Sequence, residues 1–301
     1  MSTLAGIEFF ATTVESGSFA AAARRLGVTA SAVSRRVAQL EHELGVPLLA
    51  RTTRSLSLTN DGRAFHERCM RILEELRDAR DAIAHASKKP SGVLRVDVPI
   101  ALGHVILAPK MPLFLDRYPE IRLELSFRDQ WVDPFAEGID VLVRIGPLGD
   151  STLIARRLGA SGVIACGSPA YLEKRGTPQS PSDLARHDCL GYLREGRPAP
   201  WHFASGEGTA VTDIIGPYHT NDAVSLREAA IAGKGLVALF DFVVCDAIAR
   251  GALVQVLGAH PMRTRPIHAL YPKNRHLLPK VRAFLDFLAE IFRERAAPSE
   301  C

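Results

Sequence analysis

In the first residues of the chain, apolar positions recur at helical spacing. Ile7, Phe10 and Val14 fall on one face and predict a first helix. Ser18 is a natural N-cap for a second, alanine-rich helix over residues 19–26. Small side chains there let two helices cross closely, so the two segments are expected to pack against each other.

A glycine-containing turn connects the second helix to a third. Gly27 ends the second helix, and Thr29 can cap a third helix that runs to about Leu44. Residues 48–58 then alternate apolar and polar positions around a basic tip, which predicts a two-stranded wing. Helix, short turn, helix and β wing is the order of a winged helix-turn-helix, a fold that binds DNA.

One long amphipathic helix is predicted from Thr59 to about residue 87. Apolar residues recur along it at spacings of four and three, as in a coiled-coil seam. These seam residues are Phe65, Cys69, Ile72, Leu76, Ala79 and Ile83. The pattern favours a linker helix through which two copies associate; the alternative is a helix packed on its own domain.

After a Lys-Lys-Pro-Ser-Gly break at residues 88–92 the pattern changes to alternating strands and helices. This alternation predicts an α/β fold with a largely parallel sheet. We expect a DNA-binding domain at 1–59, a linker helix at 60–88 and an effector domain at 92–301. Within the last, subdomain I comprises about 92–163 plus 268–301, and subdomain II about 164–267.

Composition narrows the classes of function. The net charge is only +4, so any nucleic-acid surface must be local. Between Gly17 and Leu58, six arginines face two glutamates, a local balance as large as that of the whole chain. The sequence has no GxSxG, HExxH, Walker A or GxGxxG motif, so no catalytic residue, cofactor or metal is expected.

The five cysteines are scattered and form no CxxC pair, which predicts reduced, mostly buried thiols. The N-terminus does not resemble a signal peptide, and the most apolar window, residues 235–249, is too short to span a bilayer. A cytoplasmic protein with no membrane partner is therefore expected.

DNA contacts are expected from the third helix and the wing. Residues early in a recognition helix reach base edges in the major groove, where arginine can bind guanine with two hydrogen bonds. The candidates on the helix are Thr29, Ala30, Ser31, Ser34, Arg35 and Arg36. The wing contributes Arg51, Thr53 and Arg54, which suit phosphates or the minor groove.

The N-terminal motifs resemble those of the LysR-type transcriptional regulators. The likeness is carried by residues 17–28, 32–35, 40–48 and 56–59, and more weakly by 91–96 and 138–144 in the C-terminal half. Two positions depart from the family pattern. Ala30 stands where the family often has a glutamine that can read bases, and Leu49-Ala50 stands where Phe-Glu is common.

The resemblance implies a two-subdomain effector domain similar to type 2 periplasmic binding proteins. It also implies a homodimer or homotetramer on a pseudo-palindromic promoter site, with RNA polymerase as a further partner. Two alternatives stay open: a C-terminal half that only oligomerises, and, more remotely, an enzyme.

In such domains the ligand lies between the subdomains, at strand ends and helix N-termini. The expected lining residues are Ile100, Ala101, Leu102, Gly103, His104, Asp129, Gln130, Arg144, Gly146, Ser168, Asn221 and Asp222. Helix N-termini favour anions, so a small carboxylate is expected, with Arg144 as its counter-charge or, alternatively, in a salt bridge. Cys166 near this cleft is either redox-sensitive or a quiet buried thiol.

Overall fold

Two compact units make up the chain, Met1–Lys88 and Lys89–Cys301. The computed structural model describes residues 3–51, 56–84, 89–205, 208–273, 275 and 278–295. Within these ranges no helix is long and apolar enough to cross a membrane. The two units are described in turn.

The N-terminal unit is a three-helix core with a small hairpin and a long C-terminal helix. Its elements are α1 (Thr3–Ser16), α2 (Phe19–Leu26), α3 (Ala30–Leu44), β1 (Leu49–Arg51), β2 (Leu56–Leu58) and α4 (Asn60–Ala84). The hairpin strands pair antiparallel, with Leu49 opposite Leu58. The winged helix-turn-helix predicted from the sequence is therefore present.

Local capping explains why these helices begin and end where they do. The Ser18 hydroxyl accepts a hydrogen bond from the Ala21 amide, and Gly27 closes α2 in the left-handed conformation. Inside, Phe10, Ala22 and Val33 are almost fully buried in one cluster. The buried alanine permits the close crossing of α2 and α3.

The first three turns of α4 belong to the core of this same unit. Cys69 is fully buried in the cluster that contains Phe10, and the Phe65 ring centroid lies 5.8 Å from that of Phe10. This corrects the heptad prediction for Cys69, because a side chain that its own domain covers completely cannot contact a partner; Phe65 packs against the cluster but is only half-buried. Ile72 is 43% exposed and stays available, whereas the side chains of Ala79 and Ile83 lie outside the described part.

The C-terminal unit alternates strands and helices, as expected. In chain order it contains β3 (Gly92–Val98), α5 (Ile100–Leu102), a π-helical turn (Gly103–Leu107), a 3-10 turn (Ala108–Lys110), α6 (Met111–Arg117), β4 (Ile121–Phe127), α7 (Pro134–Glu137), β5 (Val141–Ile145), β6 (Ile154–Ser161), β7 (Val163–Gly167), α8 (Pro169–Arg175), a 3-10 turn (Pro181–Arg186), β8 (Gly191–Arg194), β9 (Arg197–Pro198), β10 (Trp201–Ser205), β11 (Gly208–Thr212), β12 (His219–Thr220), α9 (Ala223–Ile231), β13 (Val237–Phe240), α10 (Asp241–Ala249), β14 (Val254–Gln255), β15 (Arg265–Tyr271) and α11 (Pro279–Arg295).

The strands form one large and several small sheets. The five-stranded sheet has the order β4-β3-β5-β15-β6, and β13-β7-β14 is the centre of the second subdomain. Strands β3, β4 and β5 are parallel, but β15 runs antiparallel to both β5 and β6. The sheet is therefore mixed rather than largely parallel, because β15 returns from the second subdomain instead of following a crossover helix.

The chain passes between the two sheets at Gly162 and returns ahead of Arg265. The expected boundaries after residues 163 and 267 fall inside β7 and β15, a few residues too late. Asp241 at the start of α10 secures the first crossing, since its carboxylate accepts hydrogen bonds from the Ser161 hydroxyl at 2.5 Å and the Gly162 amide at 2.9 Å.

The cysteines differ in their oxidation state. Cys69, Cys166 and Cys189 are buried free thiols. Cys245, in contrast, is disulfide-bonded, which corrects the prediction that all five cysteines are reduced.

Candidate functional site

The exposed face of α3 is the first candidate site. Val33, Val37 and Leu40 point into the core at helical spacing, so the opposite face is turned outward. Thr29 caps the helix through a hydrogen bond that its hydroxyl accepts from the Ala32 amide at 3.3 Å. Thr29, Ala30, Ser31 and Arg35 are all exposed, whereas Ser34 is half-buried.

The charges on this surface are not equivalent. Arg35 has no hydrogen bond or ion pair with any described residue, so its guanidinium is available to a ligand. Arg36 donates to the Gln39 side chain at 3.3 Å. Arg25 forms an ion pair with Glu15 at 2.7 Å and therefore contributes little free charge to a DNA surface.

The wing is fastened to the helices at its base. The Glu41 carboxylate accepts hydrogen bonds from the amides of Leu48 and Leu49 at 2.8 and 2.9 Å. A Cβ at Gly62 would lie 1.9 Å from the Leu48 carbonyl oxygen, so α4 can approach the wing only because this residue is glycine. Sequence analysis did not identify these anchors.

Three wing candidates remain predictions. Arg51 ends β1, but its side chain is outside the described part, and Thr53 and Arg54 lie in the segment 52–55 between the described strands. Of the nine DNA-contact candidates, the structure therefore brings together the six on or beside α3.

The second candidate site lies at the end of β3. Ile100 and Ala101 are half-buried at the start of the following helix, and His104 is exposed with its ring 4.7 Å from that of Phe127. Leu102 and Gly103 are buried, which corrects their assignment as ligand contacts. A Cβ at Gly103 would lie 2.5 Å from the Phe127 ring, so this glycine serves helix–strand packing.

A hydrogen-bonded bridge connects the two subdomains here. One oxygen of the Asp129 carboxylate accepts the Ile100 amide at 3.1 Å, and the other accepts the Tyr192 hydroxyl from the second subdomain. Burial and the Asp129 carboxylate both raise the pKa of Tyr192, so the phenol is protonated and donates. Asp222 also contributes to this raised pKa, which places a second carboxylate near the phenol.

The remaining cleft candidates have structural tasks of their own. Ser168 is buried and caps α8, and Asp222 caps α9 by accepting the Val224 amide at 3.0 Å. Gly146 is buried with φ +115°, a conformation that favours glycine. Gln130 and Asn221 are exposed and can contact a ligand.

Arg144 is committed to the fold rather than to a ligand. Its Nη2 donates to the Asp97 carboxylate at 2.7 Å, and its side chain is 10% exposed while that of Asp97 is fully buried. Arg128 binds the other Asp97 oxygen at 2.5 Å and Glu137 at 2.7 Å. Because Asp97 already neutralises Arg144, these contacts favour the salt-bridge alternative over the role of counter-charge to a carboxylate ligand.

Three residues of this region escaped the sequence analysis. Asp97 is a carboxylate between two valines in the buried end of β3, and such a position is a sequence signal for a buried charge pair. Trp131 stacks on the Arg144 guanidinium at 5.8 Å, and Tyr192 forms the bridge. Neither aromatic residue carries a local sequence signal for its partner.

The residues that the structure describes form no site for metal binding or for thiol chemistry. No group of three or more His, Cys, Asp or Glu residues there is arranged to hold a metal ion. Burial raises the pKa of both Cys166 and Cys189 to about 12, so neither is a reactive thiolate near neutral pH.

Comparisons with known proteins agree with this geometry. The family model of the LysR substrate binding domain matches residues 87–293, and that of the bacterial regulatory helix-turn-helix protein, lysR family, matches residues 4–63. Together they span both units.

Individual relatives match over nearly the whole chain. The HTH-type transcriptional regulator CrgA of Neisseria meningitidis is 40% identical over 93% of this chain and 94% of its own. An HTH-type transcriptional repressor of Pseudomonas aeruginosa is 36% identical over 98% of this chain and 93% of its own. Among solved structures, CrgA has a TM-score of 0.64 at 38% identity, covering 96% of this chain and 98% of its own. Full-length AphB, the Vibrio cholerae virulence activator, has a TM-score of 0.61 at 31% identity, covering 96% of this chain and 99% of its own.

Proposed function

The chain belongs to the LysR-type transcriptional regulators, and on that premise we propose which of its residues read DNA and where its effector binds. It is a DNA-binding regulator with an effector-binding domain, not an enzyme. The observation that carries the proposal is Arg35, which pairs with no residue that the structure describes and lies on the outward face of a capped α3.

In this proposal α3 lies in the major groove of the promoter. Arg35 reads a base, and Thr29 and Ser31 bind phosphate or base edges through their hydroxyls. Ala30 offers only a methyl group, so it contacts a thymine methyl or nothing. Arg51, Thr53 and Arg54 of the wing contact phosphates or the minor groove.

Arg35→Ala tests the DNA-reading half. We expect a loss of about 1–3 kcal/mol on the specific site and a relaxed preference at one base, as for a bidentate arginine contact. The measurement is gel-shift binding to DNA upstream of the chain's own gene, with random DNA as competitor, at two salt concentrations. Arg122→Ala, an exposed arginine of the C-terminal unit, is the control. Equal losses on specific and random DNA would show that Arg35 binds only phosphate.

The effector is proposed to bind between the two subdomains of the C-terminal unit, beside the Asp129–Tyr192 bridge. Ile100, Ala101, His104, Gln130 and Asn221 are the candidates left after the structural corrections. Two carboxylates, Asp129 and Asp222, and one cation, Arg194, act on the Tyr192 phenol, while Arg144 is neutralised by Asp97, so both the expected carboxylate and a ligand that donates hydrogen bonds are candidates.

A thermal-shift screen of small carboxylates, polyols and amines decides between these classes. A ligand at 100 times its Kd raises the free energy of unfolding by roughly 2.7 kcal/mol. Tyr192→Phe removes the donor to Asp129 and should change the affinity for any true cleft ligand. If only carboxylates stabilise the protein, the effector is a carboxylate. If no compound stabilises it, the C-terminal domain only oligomerises.

Assembly and partners complete the proposal. A twofold dimer presents two α3 helices to half-sites about one helical turn apart or multiples of it, which fits a pseudo-palindromic promoter site. The same proposal includes a tetramer built from two such dimers and contact with RNA polymerase. It also places the protein's action in the cytoplasm, where that DNA lies.

A further inference from the structure

Two exposed aromatic side chains share one cavity on the first subdomain of the C-terminal unit. Trp131 is 58% exposed and Phe135 is 60% exposed, far more than large apolar side chains usually are. Both line a cavity of about 670 Å³ between the segment before α7 and the loop that follows β5. That volume lies in the range of small-molecule sites.

The polar lining of this cavity has one sign of charge. Asp133 and Asp150 contribute carboxylates, Ser151 and Thr152 contribute hydroxyls, and no lysine, arginine or histidine is among the described lining residues. Asp133 uses one oxygen to accept the Phe135 amide at 2.9 Å. Asp150 has no hydrogen bond or ion pair with any described residue, so its charge is available.

The cation that lies over Trp131 does not cancel this charge. Arg144 lies over the Trp131 ring at 5.8 Å, but its guanidinium is paired with the buried Asp97 at 2.7 Å. Stacking on Arg144 fixes the indole in place without adding net positive charge to the cavity. The rings therefore keep their negative π surface for a second cation.

We propose that this cavity binds a small organic cation, an aromatic or alkyl ammonium compound, held between Trp131 and Phe135 and paired with Asp150. Aromatic faces attract ammonium groups, and quaternary ammonium ligands are bound in this way. The apolar part of the ligand would cover the exposed rings, and the carboxylates would receive the charge. None of the lining residues is among the candidates for the cleft between the subdomains, so the site is proposed as distinct from that of the effector.

The chain carries its own reporter for this site. It has two tryptophans, and Trp201 is buried in the core of the second subdomain. A change in fluorescence that a small ligand causes by contact must therefore come from Trp131. Titrating the full-length protein with benzyltrimethylammonium, benzyl alcohol and phenylacetate compares a cation, a neutral molecule and an anion of similar shape.

We expect saturable binding of the cation, at least about tenfold tighter than that of phenylacetate. Asp150→Asn and Phe135→Ala should each weaken it severalfold while Trp131 still reports. Tyr218→Ala, which removes another exposed aromatic ring of the same unit, should leave the affinity unchanged. Circular dichroism confirms that each variant is folded.

Three results would overturn the proposal. Phenylacetate that binds as tightly as the cation would remove the charge argument. Unchanged affinity in folded Asp150→Asn and Phe135→Ala variants would remove the site. Loss of cation binding in the Tyr192→Phe variant would show that the cation binds in the cleft between the subdomains instead.

Discussion

Asp97 offers the sharpest test of how the effector unit is held together. Its carboxylate is fully buried and binds both Arg144 and Arg128. Asp97→Asn keeps the shape but removes the charge, which leaves the Arg144 guanidinium buried without its counter-ion. Breaking a buried pair by removing one partner costs about 3–5 kcal/mol.

In a unit of this size each kcal/mol shifts the melting temperature by about 2–4 °C, so Asp97→Asn should lower it by roughly 6–20 °C. Scanning calorimetry of the full chain measures this shift. The matched control is Asp286→Asn, the same change in an exposed ion pair with Arg156 at 3.0 Å, where the cost should stay below about 1 kcal/mol. If both variants have the same melting temperature, the ion pairs of Asp97 with Arg144 and Arg128 do not stabilise the unit as their burial implies.

Three further predictions concern single side chains. Burial lowers the pKa of His66 below its ordinary 6.5, so its stabilising contribution is complete above that pH and is lost as the pH falls toward the lowered value. His66→Gln should therefore lose less thermal stability between about pH 7.5 and about pH 5.5 than the parent, and an equal loss in both proteins would contradict this reasoning. Because burial raises the pKa of Cys166 to about 12, iodoacetamide should label it in the native protein far more slowly than free glutathione, and mass spectrometry showing equal rates would contradict that burial. Ile72→Asp places a charge on the exposed part of α4 and should weaken self-association in light scattering, whereas an unchanged mass would exclude this residue from the interface.

Local signals predicted the N-terminal unit well. The cap residues Ser18 and Thr29 and the left-handed Gly27 act within one helical turn, so their effect can be read from neighbouring residues. The role of the heptad along α4 was harder to predict, because spacing shows which face of the helix is apolar but not what covers that face. Cys69 lies on that face, yet Phe10, distant in sequence, covers it.

The cleft was only partly predictable for the same reason. Strand ends predict its framework, and two of the candidates named from it, Ile100 and Asp129, share a hydrogen bond. The partner of Asp129, Tyr192, comes from a different subdomain, 63 residues further along the chain. No pattern within one helix or strand specifies such a pair, so the bridge appears only in three dimensions.

Arg144 shows how one position in the sequence can suit two different roles. Its place at the end of β5 suited a ligand contact, but Asp97, 47 residues earlier, takes its charge. The same guanidinium also donates to the Gln130 carbonyl at 3.3 Å and stacks on Trp131, so it holds the segment that leads from the cleft to the proposed cation cavity. A substitution at Arg144 should therefore disturb both sites through the position of this segment, without Arg144 touching either ligand.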